Sequence, residues 1–154
     1  MTSPIEERLA ALGVVLPTPT PPVANYVPAV ESGGWLWISG QVPMGPNGPE
    51  FIGKLGRDVE LDSGRAAARL CAINILAQAK AALGDLERIK RVVKLVGFVN
   101  SFGDFGDQPK VVNGASDFLV EVLGEHGRHA RSAVGVAGLP FNVAVEVEAV
   151  LEIA

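Results

Sequence analysis

Two valine-rich runs, Ala130–Val136 and Val143–Leu151, flank a Gly138-Leu139-Pro140 corner, and this arrangement constrains the fold most. Each run is short and rich in β-branched residues, so each predicts a strand. Alternation sorts the second run: Val143, Val145, Val147, Ala149 and Leu151 point one way, and Ala144, Glu146, Glu148 and Val150 the other. Glu146 therefore sits inside an apolar strand. A carboxylate buried alone is costly, so it faces water or has a partner. Arg131, which opens the first run, is the nearest candidate in sequence. Two meanings are open: a cross-strand ion pair that only holds the sheet, or a charged pair belonging to a site.

The rest of the chain supplies what packs on these strands. Pro4–Leu12 predicts a short helix with Ile5, Leu9 and Leu12 on one side and Gly13 as its stop. Leu16–Pro22 holds four prolines and predicts an extended arm. Residues 1–24 are thus a helix and arm, and residues 25–154 a single domain. Tyr26–Val30 and Trp35–Ser39 predict a hairpin about Ser32-Gly33-Gly34. Gln41–Gly56 predicts loop around at most one short strand near Glu50–Ile52. Asp62–Leu83 is the longest expected helix, capped by Asp62 or Ser63 and ended by Gly84. Arg91–Val99 is apolar on both faces. Asn100–Pro109 is a glycine-rich loop whose Phe102 and Phe105 either anchor it or cover a ligand. Lys110–Gly124 predicts the second long helix. The order β-β-(β)-α-β-α-β-β implies an α+β sheet with both long helices on one face. The other face keeps Val92, Val96 and Val150, and needs a cover.

Composition points to how that cover arises. At 154 residues the chain is 48% hydrophobic and 19% charged, with a mean hydropathy of +0.30. Such a domain is expected to hide part of its surface in an oligomer. The net charge of -4 and the scattered basic residues argue against nucleic-acid binding, which needs a basic patch. The single cysteine, Cys71, excludes an internal disulfide and a cysteine-rich zinc site. Set among alanines and leucines, it is expected to be a buried thiol. A phosphate-binding glycine loop, a nucleophile elbow and Cys-x-x-Cys are absent. His126 and His129 lack an obvious third ligand, so no metal is expected. With Arg128 and Arg131 they either complement a helix end or hold an anion there. Glu6 and Glu7 do not fit a secretory signal, and no run reaches ~18 consecutive apolar residues, so no membrane span is expected. The expected location is cytoplasmic.

Ala130-Arg131-Ser132, Leu139-Pro140 and Val145-Glu146-Val147-Glu148 resemble the C-terminal signature of the RidA/YjgF family. These are reactive-intermediate imine deaminases, often labelled L-PSP endoribonucleases. Asn25-Tyr26, the run Trp37–Pro43, and Val112-Asn113 extend the resemblance from about Tyr26 to the C-terminus. It implies a chorismate-mutase-like homotrimer with sheets inward and clefts between subunits. It implies Arg131 and Glu146 as catalytic residues, and Tyr26, Ser39, Gly40, Asn113 and Ala133 as the substrate-binding wall. Arginine offers a planar fork that matches a carboxylate, and a partly desolvated glutamate can direct or deprotonate a water. The implied reaction is hydrolysis of 2-aminoacrylate-type enamines and imines to 2-keto acids and ammonia, with no cofactor.

The chain also departs from the family pattern. Ala133 stands where deaminating members commonly have cysteine, Gly135 and Gly138 stand where charge is common, and the Phe102–Pro109 loop is longer. Two other functions stay open: non-catalytic binding of a small carboxylate metabolite in the same cleft, and endoribonuclease activity. The latter would want basic surface and stacked aromatics, which one tyrosine, two tryptophans and an acidic balance do not supply.

Overall fold

A computed structural model describes residues 2–154. Helix α1 spans Pro4–Ala11, with Ser3 Oγ accepting from the Glu6 N–H as its cap. Strands β1 (Ala29–Ser32) and β2 (Trp35–Gln41) form the expected hairpin. β3 (Met44–Gly45) and β4 (Gly48–Pro49) are a small separate hairpin. The long helix α2 (Leu61–Leu83), β5 (Ile89–Asn100), α3 (Gln108–Leu123), β6 (Ala130–Val136) and β7 (Val145–Ile153) complete the chain.

The main sheet runs β1-β2-β7-β5-β6. β5 and β6 are parallel, and the other pairs are antiparallel. A parallel pair needs a crossover, and α3 is that connection. Alternation on β7 is as expected. Val145, Val147, Ala149, Leu151 and Ile153 are buried toward the helices, while Glu146, Glu148, Val150 and Glu152 lie half-buried on the open face.

Several expectations are corrected. β1 begins at Ala29, because Pro28 has no N–H to donate to a ladder, so Tyr26 precedes the strand. The strand expected at Glu50–Ile52 reduces to a single bridge from Ile52 to Val143. Glu60 occupies the N-cap position of α2 without a side-chain bond, and Asp62 lies in the first turn. Val92 is fully buried on the helix side rather than on the open face. The register of β5 against β7 shifts between Val92 and Lys94, and this bulge changes the parity so that Val92 and Leu95 both face the helices. Val96 and Val150 do lie on the open face, half-buried.

The core sits between sheet and helices. α2 is long and apolar enough to cross a membrane by length and composition, but its apolar face is the one laid on the sheet. Ala67, Ala68, Cys71, Ala72, Ile75, Leu76 and Ala79 are all fully buried. Ile5 and Leu9 of α1 join the same core. Phe105 packs against that core, whereas Phe102 is exposed with the Arg57 guanidinium 5.0 Å above its ring. The Cys71 thiol is buried and lies 3.6 Å from the Val145 carbonyl. Burial, with the Glu146 carboxylate beyond, pushes its pKa well above the usual thiol value. It should therefore react slowly with a thiol reagent in native buffer and rapidly in denaturant.

α2 and α3 touch backbone to backbone. A Cβ added at Gly114 would lie 2.0 Å from the Arg65 carbonyl oxygen. Gly→Ala inside a helix ordinarily stabilises by about 1 kcal/mol through propensity. Here Gly114→Ala should reverse that sign and cost about 1–3 kcal/mol, the scale of overpacking, read as a lower midpoint of urea unfolding.

Candidate functional site

Arg131 is in register with Leu95, which is fully buried toward the helices. Its side chain therefore turns to the α3 side of the sheet. Nη1 donates to Asn113 Oδ1 at 2.8 Å and to Ser116 Oγ at 3.1 Å. Asn113 and Ser116 are three apart on α3, so they share a helix face. Ser116 Oγ also lies 2.9 Å from His129 Nε2, and His129 Nδ1 lies 2.6 Å from the Gly127 carbonyl. A carbonyl can only accept, so Nδ1 carries the hydrogen. In the neutral ring Nε2 is then the acceptor, and the Ser116 hydroxyl donates to it. Burial lowers the His129 pKa, and the Arg131 charge lowers it further against the opposing effect of the Gly127 bond. The neutral form is thus the resting one at pH 7.

Glu146 lies on the other face. It is in register with Phe98, and its side chain runs along Gly40, where a Cβ would come within 2.3 Å of Glu146 Oε2. Any side chain at position 40 would meet this carboxylate. Burial raises the Glu146 pKa above its usual value, and neighbouring Glu148 adds to the rise. Among the described residues, no cation pairs with Glu146.

The expected pairing of Arg131 with Glu146 therefore does not occur within one chain. β6 and β7 are consecutive in sequence, but β5 lies between them in the sheet, and alternation sends the two side chains to opposite faces. The structure gathers Arg131 and Asn113 into one group, with Ala133 two residues along β6 on the same face. It gathers Glu146 and Gly40 into a second. Ser39 sits at the irregularity of β2 opposite β7, and its Oγ donates to the Pro28 carbonyl at 3.1 Å. Tyr26 is 58% exposed ahead of β1. Two broad grooves mark the surface. One, of about 460 Å³, is lined by Trp35, Arg91, Val93, Arg128, His129, Ala130 and Glu152. The other lies between α1, the proline arm and α2. Neither contains Arg131 or Glu146. Among the described residues no three metal-ligating side chains cluster.

Ser116 was not expected as a site residue, and His129 was expected only in an anion cluster or at a helix end. Two signals could have marked them. Ser116 follows Asn113 by one helical turn, and His129 precedes Arg131 by two residues, the spacing that keeps one side of an extended chain.

The chain matches the family described as "YjgF/chorismate_mutase-like, putative endoribonuclease" over residues 6–153. It belongs to this family. It is 51% identical over 150 residues to Protein TCP17 of Trypanosoma cruzi, covering 97% of this chain and 94% of the relative. It is 30% identical over 132 residues to a 2-iminobutanoate/2-iminopropanoate deaminase of Dermatophagoides farinae, covering 86% and 88%. The crystal structure of Atu1372, a protein of unknown function from Agrobacterium tumefaciens, superposes with a TM-score of 0.92 at 54% identity, covering 98% and 93%.

The raised Glu146 pKa makes a stability prediction. The folded state holds this proton more tightly than the unfolded chain, so ionised Glu146 costs stability at neutral pH. That cost disappears as the pH falls through the folded pKa toward 4.5, where the unfolded group also protonates. Glu146→Gln should therefore raise Tm at pH 7, with the gain shrinking in acid. A structural ion pair would give the opposite sign.

Proposed function

We propose that this chain hydrolyses small 2-imino acids of the 2-aminoacrylate type to 2-keto acids and ammonia, in a cleft completed by a second copy. The observation that carries this is the Arg131 guanidinium. Both of its bonds, to Asn113 and Ser116, use Nη1. The remaining donors of the fork are left for a carboxylate, the group common to these substrates. The deaminase relative is named for this chemistry.

Each residue then has a part. Arg131 holds the substrate carboxylate, and Asn113 fixes the guanidinium plane. Glu146 takes a proton from a water that attacks the carbon of the protonated iminium, C=NH2+, giving a neutral carbinolamine. Glu146 then returns that proton to nitrogen, which leaves as ammonia. Tyr26, Ser39, Gly40 and Ala133 wall the cleft. Ala133 removes a thiol that plays no part in these transfers.

Arg131 and Glu146 lie on opposite faces of their own sheet, so only a neighbouring subunit can bring the two halves together. The apolar open face offers the contact: Val30, Trp37 and Val134 are all more than 40% exposed, more than a lone soluble domain is expected to leave bare. A homotrimer is the expected assembly, and a monomer mass by light scattering at micromolar concentration would remove the composite cleft. Endoribonuclease activity fits less well, since the net charge is -4 and no basic stripe is present in the sequence.

Arg131→Lys separates site from scaffold. Lysine keeps the charge and loses the fork. Substrate use should fall by roughly 1.5–3 kcal/mol, the scale for a bond to a charged group, or about one to two decades in kcat/KM. The assay follows keto-acid release from freshly generated imino acids. Unimpaired turnover would exclude Arg131 as the anchor, and pyruvate binding without turnover in the wild-type protein would favour a carboxylate-binding role instead.

A further inference from the structure

The proposed hydrolysis leaves one proton without an acceptor. Glu146 takes the first water proton and returns it to the departing nitrogen. The hydroxyl hydrogen of the carbinolamine must also leave as the C=O bond forms. We infer that Ser116 and His129 form a hydroxyl–imidazole relay that accepts this second proton, an inference that rests on the imine hydrolysis proposed above. Ser116 is the group that touches substrate, and His129 acts through it.

The geometry is that of an activated hydroxyl. Ser116 Oγ is 3.1 Å from Arg131 Nη1, beside the carboxylate that Arg131 would hold, and 2.9 Å from His129 Nε2. The Gly127 carbonyl, 2.6 Å from Nδ1, fixes both the ring and its tautomer, so the lone pair of Nε2 faces the hydroxyl. A base oriented by a third group and bonded to a hydroxyl is the constellation that activates oxygen acids. The neighbouring guanidinium also stabilises negative charge that builds on Oγ. Ser116 is half-buried. The transfers balance. The carbinol O–H bond breaks and its hydrogen passes to Ser116 Oγ, while the Ser116 hydrogen passes to His129 Nε2. The freed electron pair closes C=O. The C–N pair leaves with the nitrogen, which carries the two iminium hydrogens and the one from Glu146, as ammonia, and the imidazolium gives its proton to solvent, matching the charge that the iminium brought in.

The surroundings set the working range. Arg131 on β6 disfavours an imidazolium, while Arg91 on β5 and Arg128, the latter paired with Glu125, line the same groove as His129. Glu152 on β7 faces the same groove and opposes them weakly, being paired with Lys90. From α3 the uncharged Ser116 bonds the ring. With burial acting in the same direction as Arg131, His129 stays a free base at neutral pH and loses that role below the ordinary histidine value of 6.5.

The test measures hydrolysis of 2-iminopropanoate, generated in situ by an amino-acid oxidase, with pyruvate affinity measured alongside. His129→Gln and Ser116→Ala should each lower kcat by about 100-fold, within the range for general acid–base catalysis. KM and pyruvate affinity should stay near wild type in His129→Gln, which leaves the Ser116 acceptor of Arg131 in place, and Ser116→Thr should keep most of the rate. On the acid side, wild-type log kcat should fall with a slope approaching two, from Glu146 and His129 together. In His129→Gln the slope should drop to one. If His129→Gln does not fold, Ser116→Ala carries the same rate test. Wild-type kcat in Ser116→Ala, or an unchanged slope in His129→Gln with only Tm lowered, would overturn the relay while leaving the Arg131 anchor intact. A wild-type protein that binds pyruvate but hydrolyses no imine would overturn the hydrolysis and the relay together.

Discussion

The register of β5 decides where everything else in this molecule lies. It is hydrogen-bonded on both edges, parallel to β6 and antiparallel to β7. The second of its two register irregularities against β7, between Val92 and Lys94, sets its parity for the rest of the strand. From there Leu95 and Val99 face the helices, and Val96 and Phe98 face the open side. Arg131 follows Leu95 to one face and Glu146 follows Phe98 to the other. A one-residue slip would exchange the faces and bury the wrong charge. The separation of the two groups is thus a property of the backbone.

The electrostatics on the two faces differ in kind. Around Arg131 the polar atoms satisfy one another in a line from Asn113 to Gly127. Such a line is rigid, and its protonation states are set by its own bonds. Glu146 runs along the Gly40 backbone, and burial with a like charge nearby moves its pKa up. One face therefore carries a preorganised polar line, and the other a carboxylate in a mildly unfavourable place. Sites that exchange protons commonly show this contrast.

Much of the fold was legible in the sequence because it depends on local pattern. Period-two valines gave β7, and a capped apolar run gave α2 within a residue of its start. Legibility failed where distant pairing decides. The order β7-β5-β6 cannot be read from a chain in which β6 and β7 are adjacent, so the nearest charged partner in sequence was the wrong one in space. The fate of Val92 depended on a bulge with no local signature. At the site, residue identities were legible and their grouping was not. The Asn113–Ser116 spacing lay in plain view, but its meaning required knowing that β6 runs beside α3.

Gly114 lies between Asn113 and Ser116, at the point where α3 meets the backbone of Arg65. The two acceptors that orient the Arg131 guanidinium are thus mounted on the backbone contact between α2 and α3. Any sequence drift that changes the spacing of α2 against α3 is felt at the guanidinium before it is felt at the surface. The core of this protein and the proposed carboxylate anchor cannot evolve independently. Relatives that adapt to a differently shaped substrate are freer to vary the Glu146 wall, which is carried by β2 and β7 alone.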